Sequence, residues 1–212
     1  MNDLIKPSER IVLPRIEDYV EDINALQRLL APGEKTWLLT TDICDAFHQV
    51  PLAHAERKYT VAVLNNEFFV FNSLVFGSAS APTVWGRVAC FLARVMATTL
   101  PQDQARTQIY VDDPALCARG SEPVAARLFA TQLLIMAGLG FPLAWTKTRG
   151  GDSVTWIGAT FKTAQSCVEV SIPQDKVRDM SNITNTLIMR NYTTVQALSS
   201  YAGKLSHVAG LI

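Results

Sequence analysis

Apolar residues recur at helical spacing over residues 16–30, where Ile16, Val20, Ile23, Leu26, Leu29 and Leu30 follow Pro14 and precede Ala31-Pro32-Gly33. An apolar stripe that starts after a proline and stops at Pro-Gly predicts one amphipathic helix. The period then changes. Thr36-Trp37-Leu38-Leu39-Thr40-Thr41 reads as a strand that delivers Asp42 at its end, and Pro51 breaks the pattern behind it. Residues 58–63 and 68–71 flank Asn65-Asn66, a pair suited to a tight turn, and predict a β-hairpin. The small residues Gly77-Ser78-Ala79-Ser80-Ala81-Pro82 predict a turn, followed by a helix that ends near Ala97. Residues 107–111 and 114–118 form a second hairpin pattern, and 125–137 a helix closed by Gly138. Residues 154–161 and 167–171 read as a third hairpin, with helices expected over 173–188 and 194–209.

Strand pairs that return against one sheet, interleaved with helices, define an α+β fold with an antiparallel sheet and helices on one face. At 212 residues the chain is long enough for one domain with a sizeable core plus a small appendage. The division expected is a connecting segment and helix over 1–35, the sheet-bearing body over 36–171, and a helical appendage over 172–212.

Composition narrows the function classes. With 49% hydrophobic and 18% charged residues the chain is globular. Its apolar runs are too short to cross a bilayer, and residues 1–6 lack the layout of a secretory signal, so no membrane association is expected. Cys44, Cys90, Cys117 and Cys167 have no paired spacing, which predicts reduced thiols in an intracellular compartment, cytoplasm and nucleus being indistinguishable. Formal net charge is zero. Polyanion binders usually carry a basic surplus, so neutrality argues against autonomous grip on nucleic acid and leaves the oligomeric state open.

The candidate chemistry sits in Tyr110-Val111-Asp112-Asp113. Adjacent carboxylates repel each other and are costly to desolvate without a cation beside them. Asp42 lies seventy residues upstream at another strand end. Carboxylates from two strand ends are the arrangement that two divalent ions need for nucleotidyl transfer. Each has a plainer reading as a turn former or cap.

These segments together carry a resemblance. Asp42-Ile43-Cys44-Asp45-Ala46-Phe47-His48-Gln49-Val50-Pro51-Leu52 resembles the first catalytic motif of reverse transcriptases. Val75-Phe76-Gly77-Ser78-Ala79-Ser80-Ala81-Pro82-Thr83-Val84-Trp85 resembles the second, and Tyr110-Val111-Asp112-Asp113 the third. Phe76-Gly77 followed by Ala81-Pro82 is most similar to the gypsy-like and DIRS-like retroelement enzymes. The resemblance implies a polymerase palm with a ferredoxin-like antiparallel sheet, a fingers hairpin at about 56–72, incomplete fingers upstream, and a partial thumb over 172–212.

It also implies roles. Asp42, Asp112 and Asp113, with the Ile43 carbonyl, would hold two magnesium ions, manganese being a substitute. Asp45, Ala46, Phe76 and Gly77 would border the incoming deoxynucleotide, Phe47 would exclude a ribose hydroxyl, and Lys147 would meet the pyrophosphate. Trp156, Ile157 and Gly158 would grip the primer end. Lys176, Arg178, Arg190 and Lys204 would approach the duplex backbone. The partners implied are an RNA or DNA template with its primer and deoxynucleoside triphosphates. Pro114 departs from the family pattern: it lacks a backbone donor at the start of a returning strand and predicts a lost rung there, with consequences for the aim of the carboxylates. Two rival readings stay open, a non-catalytic remnant serving as an interaction module and an RNA-dependent RNA polymerase.

Overall fold

A computed structural model describes residues 11–164, 167–190 and 192–210. The expected connecting segment over residues 1–10 therefore lies outside the described residues. Helix α1 (Ile16–Gln27) begins with a cap in which the Arg15 amide donates to Asp18 Oδ2 at 2.6 Å. It ends at Gln27 rather than Leu30, leaving Leu29 exposed, and the residues it buries are Tyr19, Ile23 and Leu26.

The main sheet has four antiparallel strands in the order β4 (Ala105–Tyr110), β5 (Asp113–Gly120), β1 (Lys35–Thr40) and β6 (Arg149–Gly151). Between β1 and β4 come a short 3-10 turn (Ala46–Gln49), the two-stranded ribbon β2 (Val61–Leu64) and β3 (Glu67–Val70), and helix α2 (Ala81–Thr99). Helix α3 (Glu122–Gly138) follows β5. Alternation along the central strands assigns the two faces. Leu39, Leu116 and Ala118 join a core with Trp85, Leu92 and Met96 of α2 and Leu128, Phe129 and Met136 of α3. Leu38, Ala115 and Cys117 point the other way, into a second core with Tyr19, Ile23 and Leu26 of α1. That second face is closed by α1 together with a three-stranded sheet, β7 (Ser153–Trp156), β8 (Ala159–Thr163) and β9 (Val168–Ser171).

Two strand expectations change. Residues 154–161 are not one strand, because Ile157 (φ 39°) and Gly158 (φ 92°) turn the chain between β7 and β8. β6 has almost no apolar pattern to announce it; its Gly150 lies against β1, where an added Cβ would sit 3.4 Å from the Leu38 carbonyl oxygen. Pro114 is taken into β5 opposite Ile109. Its carbonyl accepts from the Thr41 amide at 3.1 Å. A strand residue's donor and acceptor face the same neighbour, so the missing N–H costs one rung at the very end of the β1–β5 ladder and the register survives.

Helices α4 (Gln174–Met189) and α5 (Val195–Ala209) pack on each other, with a 2.7 Å hydrogen bond between Thr184 and Tyr201. Lys176 Nζ reaches the Gly158 carbonyl at 3.4 Å and ties α4 to the β7–β8 turn.

Candidate active site

Thr41 to Ile43 are stitched on both sides. Beyond the Thr41–Pro114 bond, the Ile43 amide donates to the Asp112 carbonyl at 2.8 Å. On the other flank the Asp42 carbonyl accepts from the Ala144 amide at 2.8 Å, and Thr41 Oγ1 lies 2.8 Å from Thr148 Oγ1. The Asp42 side chain is thereby delivered to the end of the sheet beside the β4–β5 turn.

That turn has Val111 and Asp112 at its centre, with Val111 at φ 54°. A β-branched residue there costs on the order of 1–3 kcal/mol and persists only where its surroundings fix it. Three donors from three elements do so. Trp85 Nε1, on α2, donates to the Val111 carbonyl at 2.7 Å. The Ile43 amide holds the Asp112 carbonyl, and Trp156 Nε1, on β7, donates to the Asp113 carbonyl at 2.9 Å. Both indoles are almost completely buried.

A pocket of about 200 Å³ opens beside this turn, lined by Asp42, Asp113, Lys147, Trp156, Ile157 and neighbouring threonines. Burial pushes the Asp113 carboxyl up to about 6; the charges of Asp112 and Asp42, and a hydrogen bond with Asp42, add to it, while Lys147 opposes. Asp112 is also raised, first by burial and then by Asp42, against the pull of its own amide and of Lys147. Lys147 Nζ lies 2.7 Å from Asp42 Oδ2, and that hydrogen bond and charge raise the lysine's pKa.

The chemistry of the donors suits a hard divalent cation, which prefers carboxylate and carbonyl oxygens. Asp42 and Asp113 fit this requirement, since they share a pocket and a hydrogen bond that only a protonated carboxyl can donate. Asp112 does not line that pocket. Among the described residues no group of three or more His, Cys, Asp and Glu side chains is gathered as a metal cage.

The residues expected beside a nucleotide form a neighbouring group. Phe47 is buried, its ring centroid 4.8 Å from Phe76 in an edge-on contact and 6.3 Å from Trp85. Phe76 itself is 78% exposed, and Gly77 has φ 88° with open space where a Cβ would stand. Asp45 is exposed in the left-handed region, and its carbonyl accepts from the His48 and Gln49 amides, while Ala46 is buried. Ile43 is buried and bridges to Leu143. Trp85 connects the two groups, touching Phe47 on one side and holding Val111 on the other. Sequence reasoning passed over it because an aromatic in an amphipathic helix reads as core. Trp156, expected at the primer end, turns its side chain inward against Tyr19 at 5.2 Å, leaving Ile157 and Gly158 as the outer part of that turn.

No curated protein matches the chain. Among solved structures, the foamy viral protease-reverse transcriptase dRH in complex with double-stranded DNA superposes with a TM-score of 0.67 at 16% identity, covering 97% of this chain and 31% of that one. The foamy viral protease-reverse transcriptase bound to an RNA/DNA hybrid gives 0.62 at 18% identity, covering 95% and 26%. These identities establish a common fold, the α+β polymerase palm, and the chain spans about a third or less of those proteins. The reverse transcriptase (RNA-dependent DNA polymerase) family matches over residues 1–161, most of the sequence. The chain belongs to the reverse transcriptase family.

Proposed function

We propose that this chain is the polymerase core of a retroelement reverse transcriptase of the gypsy-like or DIRS-like kind, extending a primer with deoxynucleotides on an RNA or DNA template inside the cell. The observation that carries the reading is the meeting of Asp42, Asp113, Lys147, Trp156 and Ile157 around one pocket. Residues 1–35 then belong to incomplete fingers, 36–171 to the palm with its fingers ribbon, and 172–212 to part of a thumb.

Asp42, Asp112 and Asp113, with the Ile43 carbonyl, would hold two magnesium ions, or manganese in their place. When bound, these ions supply activation of the primer 3′-hydroxyl and neutralise charge developing at the α-phosphate. The protein's own residues do the rest. Asp45, Ala46, Phe76 and Gly77 border the triphosphate and base, the exposed Phe76 ring and the bare Gly77 backbone permitting close approach. Phe47 backs that surface and excludes a 2′-hydroxyl. Lys147 carries a positive charge to the leaving group, and its exposure leaves it free to swing from Asp42. Ile157 and Gly158 meet the primer end, and Trp156 links that turn to Asp113 from behind.

Primer extension by the purified chain, with magnesium or manganese and with Asp112→Asn as control, tests the reading. Extension by the parent and not by the variant supports it. A folded parent that extends neither deoxynucleotides nor ribonucleotides points to the non-catalytic remnant, and exclusive use of ribonucleotides points to an RNA polymerase.

A further inference from the structure

An apolar cavity lies away from the carboxylates. A chamber of about 460 Å³ opens at the edge of the main sheet between α1 and α2. β4 is the outermost strand there. Small residues of α2, among them Gly86, Ala89, Cys90 and Ala93, leave the space, and Ile11 to Pro14 form its outer wall. Gly86 admits that wall, since a Cβ would come within 3.2 Å of Ile11 Cγ2. The volume is that of a site for a small organic ligand.

Charge and hydrogen bonding specify the ligand. Asp18, Glu21 and Asp22 of α1 line the chamber, and among the described residues no lysine or arginine lines it. Arg15 partners Asp18, and Arg106 and Gln108 partner Asp22 at 3.1 and 2.7 Å, leaving Glu21 as the carboxylate free to meet a ligand. Asp22, Ala93 and Gln108 also line a second, polar recess of about 120 Å³, so the two spaces adjoin. Gln132 lines that recess; it is 1% exposed, and its Oε1 has no hydrogen-bond partner while its Nε2 donates to Thr107. A buried, unpaired acceptor in a recess that adjoins an apolar, acid-rimmed chamber, and that Arg106 also lines, asks for a neutral N–H donor.

The chamber also touches the catalytic turn from behind, because Trp85 and Val111 are part of its lining and are joined by the 2.7 Å indole-to-carbonyl bond. We propose that this chamber binds an amphipathic organic cation, an apolar body with an ammonium group facing Glu21 and an N–H directed to the recess. Its occupancy shifts the Asp112-Asp113 turn through Trp85 and Val111. Binding is independent of the polymerase reading, and only its consequence for synthesis rests on that reading.

Tryptamine is the probe, with 3-methylindole as its uncharged counterpart, titrated by calorimetry and by amide chemical shifts of the labelled chain. Tryptamine binds more tightly than 3-methylindole, and Glu21→Gln weakens it roughly two- to five-fold, the worth of an exposed ion pair. Ala93→Phe fills the space and removes binding. Cys90→Leu serves the same purpose if circular dichroism shows that the first variant is unfolded. The Val111, Asp112 and Asp113 amides shift on saturation. Equal binding by parent and filled variants, or no binding by the folded parent, overturns the site. Equal affinity for 3-methylindole overturns the cationic class, and unmoved turn amides overturn the transmission. None of these readouts depends on primer extension.

Discussion

The indole N–H of Trp156 donates to the backbone carbonyl of Asp113 across 2.9 Å. One side chain on β7 thus fixes the position of a candidate catalytic residue on a different sheet, and it does so from a buried site packed against Tyr19, Tyr110 and Phe161.

Trp156→Phe keeps much of that packing and deletes the donor. A buried carbonyl left without its partner costs about 1–3 kcal/mol. For a chain of this size each kcal/mol lowers Tm by about 2–4 °C. Calorimetry reads the stability loss. Steady-state extension assays are expected to show kcat falling more than KM rises, because the carboxylate is displaced rather than the proposed nucleotide surface at Phe76 and Gly77.

Asp113 gives a pH signature. In the folded chain its carboxyl titrates at about 6, against an ordinary value of 3.8. Between these values the folded protein holds a proton that the unfolded chain has released, so the contribution of this group favours folding below pH 3.8 and is lost as pH rises through about 6. Asp113→Asn is therefore expected to raise Tm at pH 7.5 relative to the parent, with the difference shrinking at pH 4. Thermal melts of both proteins across that range decide it.

The same carboxylates predict a cation response. Magnesium that binds the folded chain alone stabilises it by about 2.7 kcal/mol at a hundred times its Kd. The parent melts at higher temperature when magnesium is added, and Asp42→Asn and Asp113→Asn lose that increment. An equal increment in both variants would assign the cation to some other place.

Phe47 is tested by two measurements on one variant. Removal of a buried phenyl ring in Phe47→Ala costs about 3–5 kcal/mol, read by denaturant melts. In an active protein the ratio of ribonucleotide to deoxynucleotide incorporation rises, measured at a temperature where the variant is folded. An unchanged ratio assigns Phe47 to the core alone.

Much of this was legible before any coordinates. The run Thr36 to Thr41 marked a strand ending at Asp42, and the run Thr107 to Val111 marked another ending at Asp112-Asp113. What the sequence concealed was conformational. Nothing about Val111 or Ile157 announces positive φ, since β-branched residues disfavour it, so the turn at 157–158 was read as the middle of a strand. β6 was missed because Arg149-Gly150-Gly151 owes its place to close backbone approach and not to apolar side chains. Pro114 looked like a fault at the start of β5, yet its missing donor falls at the last rung, where the ladder is ending anyway.

Pro114→Val follows from that last point. It restores a donor to one terminal rung and leaves the register unchanged, so stability moves by no more than about 1 kcal/mol. A larger change, or altered β4–β5 cross-strand contacts in nuclear Overhauser spectra, would show that the proline shapes the turn.

The ribbon of β2 and β3 exposes Val61, Val63, Leu64, Phe68, Phe69 and Val70, and its strands pair only with each other. A two-stranded ribbon without a packed face is marginally stable by itself. In hydrogen-exchange terms the chain is two-tiered: amides of the ribbon open locally and exchange early, while those of β1, β5 and α2 wait for global unfolding. The order in which the molecule comes apart therefore begins at the exposed ribbon and ends at the carboxylates.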